Sequence, residues 1–589
     1  MARRGFAIVL ALLGAAIVFS IAAFATLYFL FGRAPSVPSK TLLVLPIGGD
    51  LAESAPNDVV AYLRGSRAPT LRSVVDTLRK AKHDRRVAAV LLKPTGFSSP
   101  YWGKVQEIRD AVADFRSSGK PIYAYLEYAD QRNYYLATAA DRIFLMPATT
   151  LDLTGIATYA LFLRGTLDKI GVVPDMHRIG DYKTAVNTFT ERGYTAAHRE
   201  MDQSLARDLF EQIVAIVARA RGKSDADVRA LVDQGPFLPA DALRAGLVDD
   251  VLYEDQVAGR LGEAVGGDIT PVKSDDYARI TLSSLGLNRG PRVAVIHASG
   301  MITGGKGGFD PINGEALGSD TLIDAIRQAR QDPQVRAIVL RIDSPGGSAT
   351  ASDAIWRELM VARQERADRP VIASMSDLAA SGGYYIAMPA DVIVAQPSTL
   401  TGSIGIFGGK FVTGGMYEKL GANIESTSIG RQAELESPVR PFNDAELAKL
   451  EAQLRAFYDD FLQKAARSRQ TTADRIDAVA QGRVWTGRQA RERGLVDELG
   501  GLDRALAVAK DRAKIPADSD IEVVVFPRPK SFYELITEGV SSGSETALRA
   551  WVSSNLSADE RNLLRALRGP ATMFRRGEPL ALMPTIYVN

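Results

Sequence analysis

YYIAMPADVIVAQPSTLTGSIGI, residues 384–406, aligns without a gap on YYLATAADRIFLMPATTLDLTGI, residues 134–156, at a constant spacing of 250 residues. The chain therefore carries one fold twice. At that spacing the copies differ where chemistry is possible. Lys183, in IGDYKTAV, faces Ala433 in IGRQAELE, and Ser381, in AASGGYY, faces Gln131 in ADQRNYY. One copy keeps an amine and the other a hydroxyl. A duplicated fold that divides its reactive side chains this way points to one composite site, built across the two halves.

Each copy opens on an apolar run closed by glycine, TLLVLPIGG (residues 41–49) and RVAVIHASG (292–300), which reads as a buried strand. A second apolar run follows in each, VAAVLLK (87–93) and VRAIVLRID (335–343). Amphipathic helix patterns separate them. In the second copy this helix begins at Ser319 and Asp320, either of which is expected to cap it. Apolar strands without alternation, spaced by helices, predict an α/β fold with mostly parallel sheet. Each copy also closes alike. FLPADALRAGLVDD (237–250) and VWTGRQARERGLVDE (484–498) read as short helices stopped by Gly246 and Gly494, a mark of fold and not of chemistry. The copies are expected at 41–280 and 292–514. The tail, 515–589, carries one amphipathic pattern at 558–568 and suggests no role.

A chain of 589 residues exceeds a single hydrophobic core. A net charge of +2 makes no electrostatic case for nucleic acid. The absence of cysteine excludes disulfides, thiolate nucleophiles and Cys-ligated metals. Four scattered histidines without an H-E-x-x-H motif argue against a catalytic zinc, and no phosphate-cradling G-x-x-x-x-G-K-[ST] loop occurs. Neither a metal nor a cofactor is expected. Residues 6–31 hold no charge, and a helix of that length reaches roughly 39 Å, enough to cross a bilayer core of ~30 Å. This run is longer than the apolar core of a cleaved signal peptide, so it is expected to be an anchor. Arg3 and Arg4, in the short segment 1–5, favour a cytoplasmic N-terminus and a translocated body. A Pro/Ser linker, 32–40, leads into the first copy.

Two glycine-rich turns follow predicted strands. In LRIDSPGGS the pair Gly346–Gly347 sits between a strand and a helix, where bare N–H groups suit an oxyanion hole. Ser381 stands among Ala379, Ala380, Gly382 and Gly383, and the N–H of Gly382 is placed to join those donors. Taken alone, Ser344–Gly347 is an ordinary turn and Ser381 an ordinary helix cap. A serine hydroxyl needs a base. No G-x-S-x-G elbow and no histidine in a triad context supplies one. Lysine remains. Neutralising it near pH 7 costs roughly 4–5 kcal/mol, which burial can supply. Lys183 is the candidate, because the second copy offers only Ala433 at that place.

SPGGS, AASGGYY, PSTLTGSIGIF and VWTGRQA…GLVD resemble the signal peptide peptidase A (protease IV) family in its long, duplicated, membrane-anchored bacterial form. The resemblance runs from the anchor to about Lys514. It implies two tandem domains of the Clp-protease and crotonase superfamily preceded by one transmembrane helix. It implies Ser381 as nucleophile, Lys183 as general base, and Ser403 as the serine that orients the lysine. Gly382, Gly346 and Gly347 match its oxyanion positions. It further implies a homo-oligomer, a tetramer in the duplicated form.

The leading expectation is a serine endopeptidase with a Ser/Lys dyad that degrades cleaved signal peptides. It would be tethered to the lipid bilayer of the bacterial inner membrane with its catalytic body on the periplasmic side. Such remnants are apolar and stay near the bilayer, so a tether concentrates enzyme around them. Two alternatives are a crotonase-like acyl-CoA enzyme, which would use the glycine N–H groups on a thioester enolate, and a non-catalytic membrane scaffold.

Overall fold

A computed structural model describes residues 14, 18–22, 37–54, 69–310, 314–527 and 578–588. The first copy builds a sheet from β1 (Thr41–Gly49), β2 (Val87–Phe97), β3 (Ile122–Leu126) and β4 (Arg142–Leu145). The short strands β5 (Thr158–Tyr159) and β6 (Val173–Ile179) leave that sheet, and β7 (Asp250–Val251) and β8 (Thr270–Lys273) complete it. Its order is β7-β4-β3-β2-β1-β8, and every pairing is parallel. Strand β1 matches the sequence expectation residue for residue. Its apolar run without alternation is explained by helices on both sheet faces.

The second copy repeats this plan. It opens with β9 (Arg292–Ser299), β10 (Met301–Thr303), β11 (Gly308–Asp310) and β12 (Gly314–Gly318). Then come β13 (Val335–Ser344), β14 (Gly346–Ser348), β15 (Val371–Ala380), β16 (Val392–Ala395), β17 (Leu400–Gly402) and β18 (Ile406–Val412). The strands β19 (Val484–Thr486), β20 (Glu498–Leu499) and β21 (Glu522–Phe526) close it. The parallel core here is β15-β13-β9-β21, with β16 beside β15. Sequence reading ends this copy at Lys514, but β21 pairs with β9 and carries the sheet on to Phe526. The helix Ser319–Gln331 also departs from expectation. Its N-cap is Gly318, and no side chain caps it. The expected glycine stops hold, since Gly246 and Gly494 both take the left-handed conformation.

The two halves meet through a third sheet, ordered β11-β12-β10-β14-β22-β18-β6, where β22 is Leu580–Leu582 from the tail. In it β6 of the first half runs antiparallel to β18 of the second, from Ile406↔Ile179 to Val412↔Val173. This ladder brings Lys183 and Ser403 toward each other. Lys183 lies four residues after the end of β6, and Ser403 three before the start of β18.

Buried charges tie the halves a second time. Arg341, on β13, is fully buried and grips Glu53 of the first half with two bonds, Nε to Oε2 at 2.9 Å and Nη2 to Oε1 at 3.0 Å. It also lies 2.9 Å from Glu107, another first-half carboxylate. Lys104 of the first half reaches Asp343 at 2.8 Å.

Of the expected anchor at 6–31, only Gly14 and residues 18–22 are described, as helix. Among the described residues no helix is long and apolar enough to cross a membrane. The helix expected at 558–568 lies outside the described residues.

Candidate active site

Ser381 follows the buried strand β15 and precedes the short helix Gly382–Ala387. It sits where a cap would, yet its side chain makes no capping bond. Its backbone is strained, with φ 55° and ψ −111°, a region an L-residue enters at a cost of about 1–3 kcal/mol. Its N–H donates to the Gly402 carbonyl at 2.8 Å. Ser403 is left-handed too, at φ 50°, and its N–H donates to the Arg483 carbonyl at 2.7 Å. Two neighbouring serines held in disfavoured conformations point to a site where position outweighs local stability.

Lys183 opens the 3-10 turn Thr184–Val186 and has no exposed surface. Its Nζ lies 2.7 Å from Ser381 Oγ, 3.0 Å from the Ser403 carbonyl and 3.1 Å from Ser403 Oγ. Burial pushes its pKa well below the ordinary lysine value. A neutral amine has two N–H donors and one lone pair. When the amine is neutral, the two Ser403 oxygens can accept its N–H bonds, which leaves the lone pair to face the Ser381 hydroxyl. The pocket accepts this side chain because two neighbours are glycines. A Cβ on Gly482 would stand 2.5 Å from Lys183 Cα and Cβ, and one on Gly405 would stand 3.2 Å from Cδ.

The glycine turn packs directly against Ser381. A Cβ on Gly382 would stand 3.1 Å from the N of Gly347, and one on Gly383 would stand 2.6 Å from the Ser344 carbonyl oxygen. The N–H of Gly346 is engaged otherwise, donating to Ser344 Oγ at 3.2 Å. Of the three expected glycine donors, Gly347 and Gly382 lie adjacent to one another, and Gly346 takes a left-handed φ of 100°.

In the first copy the corresponding place is inert. Gln131 begins the helix Gln131–Ala137, and its side-chain oxygen accepts from Gly155 N–H at 2.9 Å. Ala433, the counterpart of Lys183, lies in an exposed turn. Among the described residues no group of histidine and carboxylate side chains suits a metal ion.

A strained serine in contact with a buried lysine, beside a glycine-rich turn, has the make-up of a serine peptidase site. The chain belongs to peptidase family S49, whose model matches residues 114–267 and 363–516, one stretch in each half. It is 39% identical to "Serine protease SPPA, chloroplastic" of Arabidopsis thaliana over 80% of this chain and 70% of that protein. It is 36% identical to "Protease 4" of Salmonella typhi over 76% of this chain and 72% of that one. Among solved structures, a ClpP1 mutant from Listeria monocytogenes matches 36% of this chain and 92% of its own, at 13% identity and a TM-score of 0.23. Family membership decides against the acyl-CoA and scaffold alternatives: the chain is a serine endopeptidase.

Sequence reasoning missed Gly405 and Gly482. The signal available was QGRVW, a glycine just before the closing motif of the second copy, where the first copy reads QGPFL. That shared glycine marks a turn, and its nearness to Lys183 emerges only from the fold.

Proposed function

We propose that Ser381 is the nucleophile, Lys183 the general base and Ser403 the residue that fixes the lysine amine. The N–H groups of Gly347 and Gly382 form the oxyanion hole. The observation that carries this reading is the 2.7 Å contact between a buried Lys183 Nζ and Ser381 Oγ. In the reaction Ser381 Oγ attacks the substrate carbonyl as its proton passes to Lys183. The resulting oxyanion is held by two N–H donors aimed where the charge develops. Lys183 then returns the proton to the leaving amine, and water releases the acyl group by the same route in reverse.

The substrates are remnants of cleaved signal peptides. The flanks of the site support this, since Ala185, Val186 and Phe407 offer an apolar wall beside the catalytic residues. The body is tethered by residues 6–31 to the bacterial inner membrane, with 41–280 and 292–514 on the periplasmic side. The uncharged run itself supports the tether, as do the exposed apolar side chains of Val18, Phe19 and Ile21. The protein works as a homo-oligomer, a tetramer. Ile424 and Ile429 support it by standing exposed on the second-half segment whose first-half counterpart is β6, with Leu420 exposed just before it. A patch of that kind wants a partner.

A synthetic signal peptide incubated with the protein and followed by mass spectrometry tests the substrate class. Cleavage is expected with the natural chain and none with Ser381→Ala; equal cleavage by both would remove the assignment. The pH profile tests the base. Only the neutral amine accepts a proton, so activity is lost as pH falls through the depressed Lys183 pKa and is retained above it. The acid limb of kcat/KM should follow one proton. A profile that rises only where ordinary lysines deprotonate, near pH 10.4, would contradict a buried base.

A further inference from the structure

The C-terminal segment 578–588 lies against the site just described. Strand β22 (Leu580–Leu582) enters the shared sheet between β14 and β18 and is antiparallel to both. Its partners on β14 are Gly346↔Leu582, Gly347↔Ala581 and Ser348↔Leu580. The bonds just outside this ladder set its phase. Ala349 N–H donates to the Pro579 carbonyl at 3.3 Å, and Met583 N–H donates to the Pro345 carbonyl at 3.0 Å. Hydrogen-bonded pairs alternate in an antiparallel ladder, so Gly347 and Ala581 form the bonded pair between them. The Ala581 carbonyl therefore accepts from Gly347 N–H, one of the two donors assigned to the oxyanion hole. A Cβ on Gly346 would collide with that same carbonyl oxygen and would stand 2.7 Å from Gly382 N, beside the other donor.

The rest of the segment is held as firmly. The hydroxyls of Ser348 and Thr350 donate to Glu578. Leu580 and Leu582 are buried against Ala185, Val186 and Phe407, while Ala581 joins the opposite core. Beyond them β23 (Tyr587–Val588) pairs with β5 of the first half. A peptide adding a strand to an open sheet edge binds in this way, with backbone bonds for affinity and alternate side chains for selection.

We propose that the chain's own C-terminal segment is an intramolecular ligand of the substrate slot. It holds Ala581 where a substrate presents its scissile carbonyl, and it competes with free peptides for the site. The class of ligand so defined is an extended apolar peptide with a small residue at the carbonyl position. A tethered ligand acts at an effective concentration of order millimolar, enough to compete with dilute free peptides. The proposal rests on the reading of Ser381 and its neighbouring N–H groups as the reaction centre.

The test measures binding in Ser381→Ala protein, so that it does not depend on turnover. A fluorescent peptide, Pro-Leu-Ala-Leu-Met-Pro, copies residues 579–584. Full-length Ser381→Ala is compared by anisotropy with full-length Ser381→Ala carrying Ala581→Arg, a side chain too large and too charged for that buried place. The second protein should bind the peptide at least about tenfold more tightly. Equal affinity, or no binding by either, would overturn the proposal. A Ser381→Ala chain ending at residue 577 has lost the segment altogether and should bind the peptide as tightly as the double variant does. A failed dyad would appear instead as absent turnover in the natural chain, with this binding difference intact.

Discussion

Lys183→Met is expected to abolish peptide hydrolysis, by about a thousandfold or more, and at the same time to raise thermal stability near neutral pH. The loss follows from the geometry. Lys183 Nζ is 2.7 Å from Ser381 Oγ, and methionine fills a similar space without offering a base. The gain follows from linkage. Burial lowers the folded-state pKa of Lys183, whereas the unfolded chain keeps an ordinary lysine near 10.4. Between those two values the unfolded state holds more protons, so the natural chain grows more stable as pH rises through that window. Methionine has no proton to lose and escapes this penalty. Each pKa unit of depression is worth about 1.4 kcal/mol. Against it stand the Ser403 oxygens and the Ser381 hydroxyl, which lose their partner at about 1–3 kcal/mol for a buried group. The variant should therefore melt higher than the natural chain at pH 7, with the difference shrinking toward pH 10. A variant that melts lower at pH 7 by several degrees would mean that Lys183 is charged or structural.

Arg341→Ala carries the largest expected loss of stability, about 3–5 kcal/mol, because it strands buried carboxylates of the other half. Burial alone would raise the Glu53 carboxyl, but the Arg341 guanidinium overrides it and holds the pKa at about 2. Glu107 shares the same guanidinium but is pushed up by burial, so Glu53 is the firmer anion of the two. Glu53 binds bidentately, which favours that order. Stability from this pair is present above the ordinary carboxylate range and is lost as pH falls through about 2. Chemical denaturation of Arg341→Ala should show the drop, and Arg341→Met combined with Glu53→Gln should recover part of it. Activity should fall with stability in the single variant, since Lys183 and Ser381 belong to the halves this pair joins. Equal midpoints for the natural chain and Arg341→Ala would contradict the account.

The sheet strands were legible because buried parallel strands are written as unbroken apolar runs. Thr41–Gly49 and Val335–Ser344 needed no other signal. The meeting of Lys183 and Ser381 was legible only through duplication. Neither Lys183 nor Ser381 stands out alone, and the contrast with Ala433 and Gln131 singled them out. What could not be read was how the halves join. Strand β6 in VPDMHRI pairs with β18, but its second-copy counterpart is an exposed irregular segment, so the repeat offers no template. The arginine in VLRID was read only as part of an apolar strand, and its partner Glu53 lies 288 residues away. The tail strand was hidden for a different reason. LALM between prolines is too short to show a period, and its place is set wholly by the open edge of β14. The cap expected at Ser319 failed because Gly318 takes the cap position.

The composite site is tested most directly by the rate at which a fluorophosphonate labels Ser381, followed by peptide mapping across a range of pH. The natural chain should be labelled at Ser381, faster as pH rises through one deprotonation below the ordinary lysine range, and Lys183→Met should be labelled at least about a hundredfold more slowly at every pH. Labelling of Lys183→Met at the natural rate, with the same pH dependence, would mean that the amine of the first half does not activate the hydroxyl of the second.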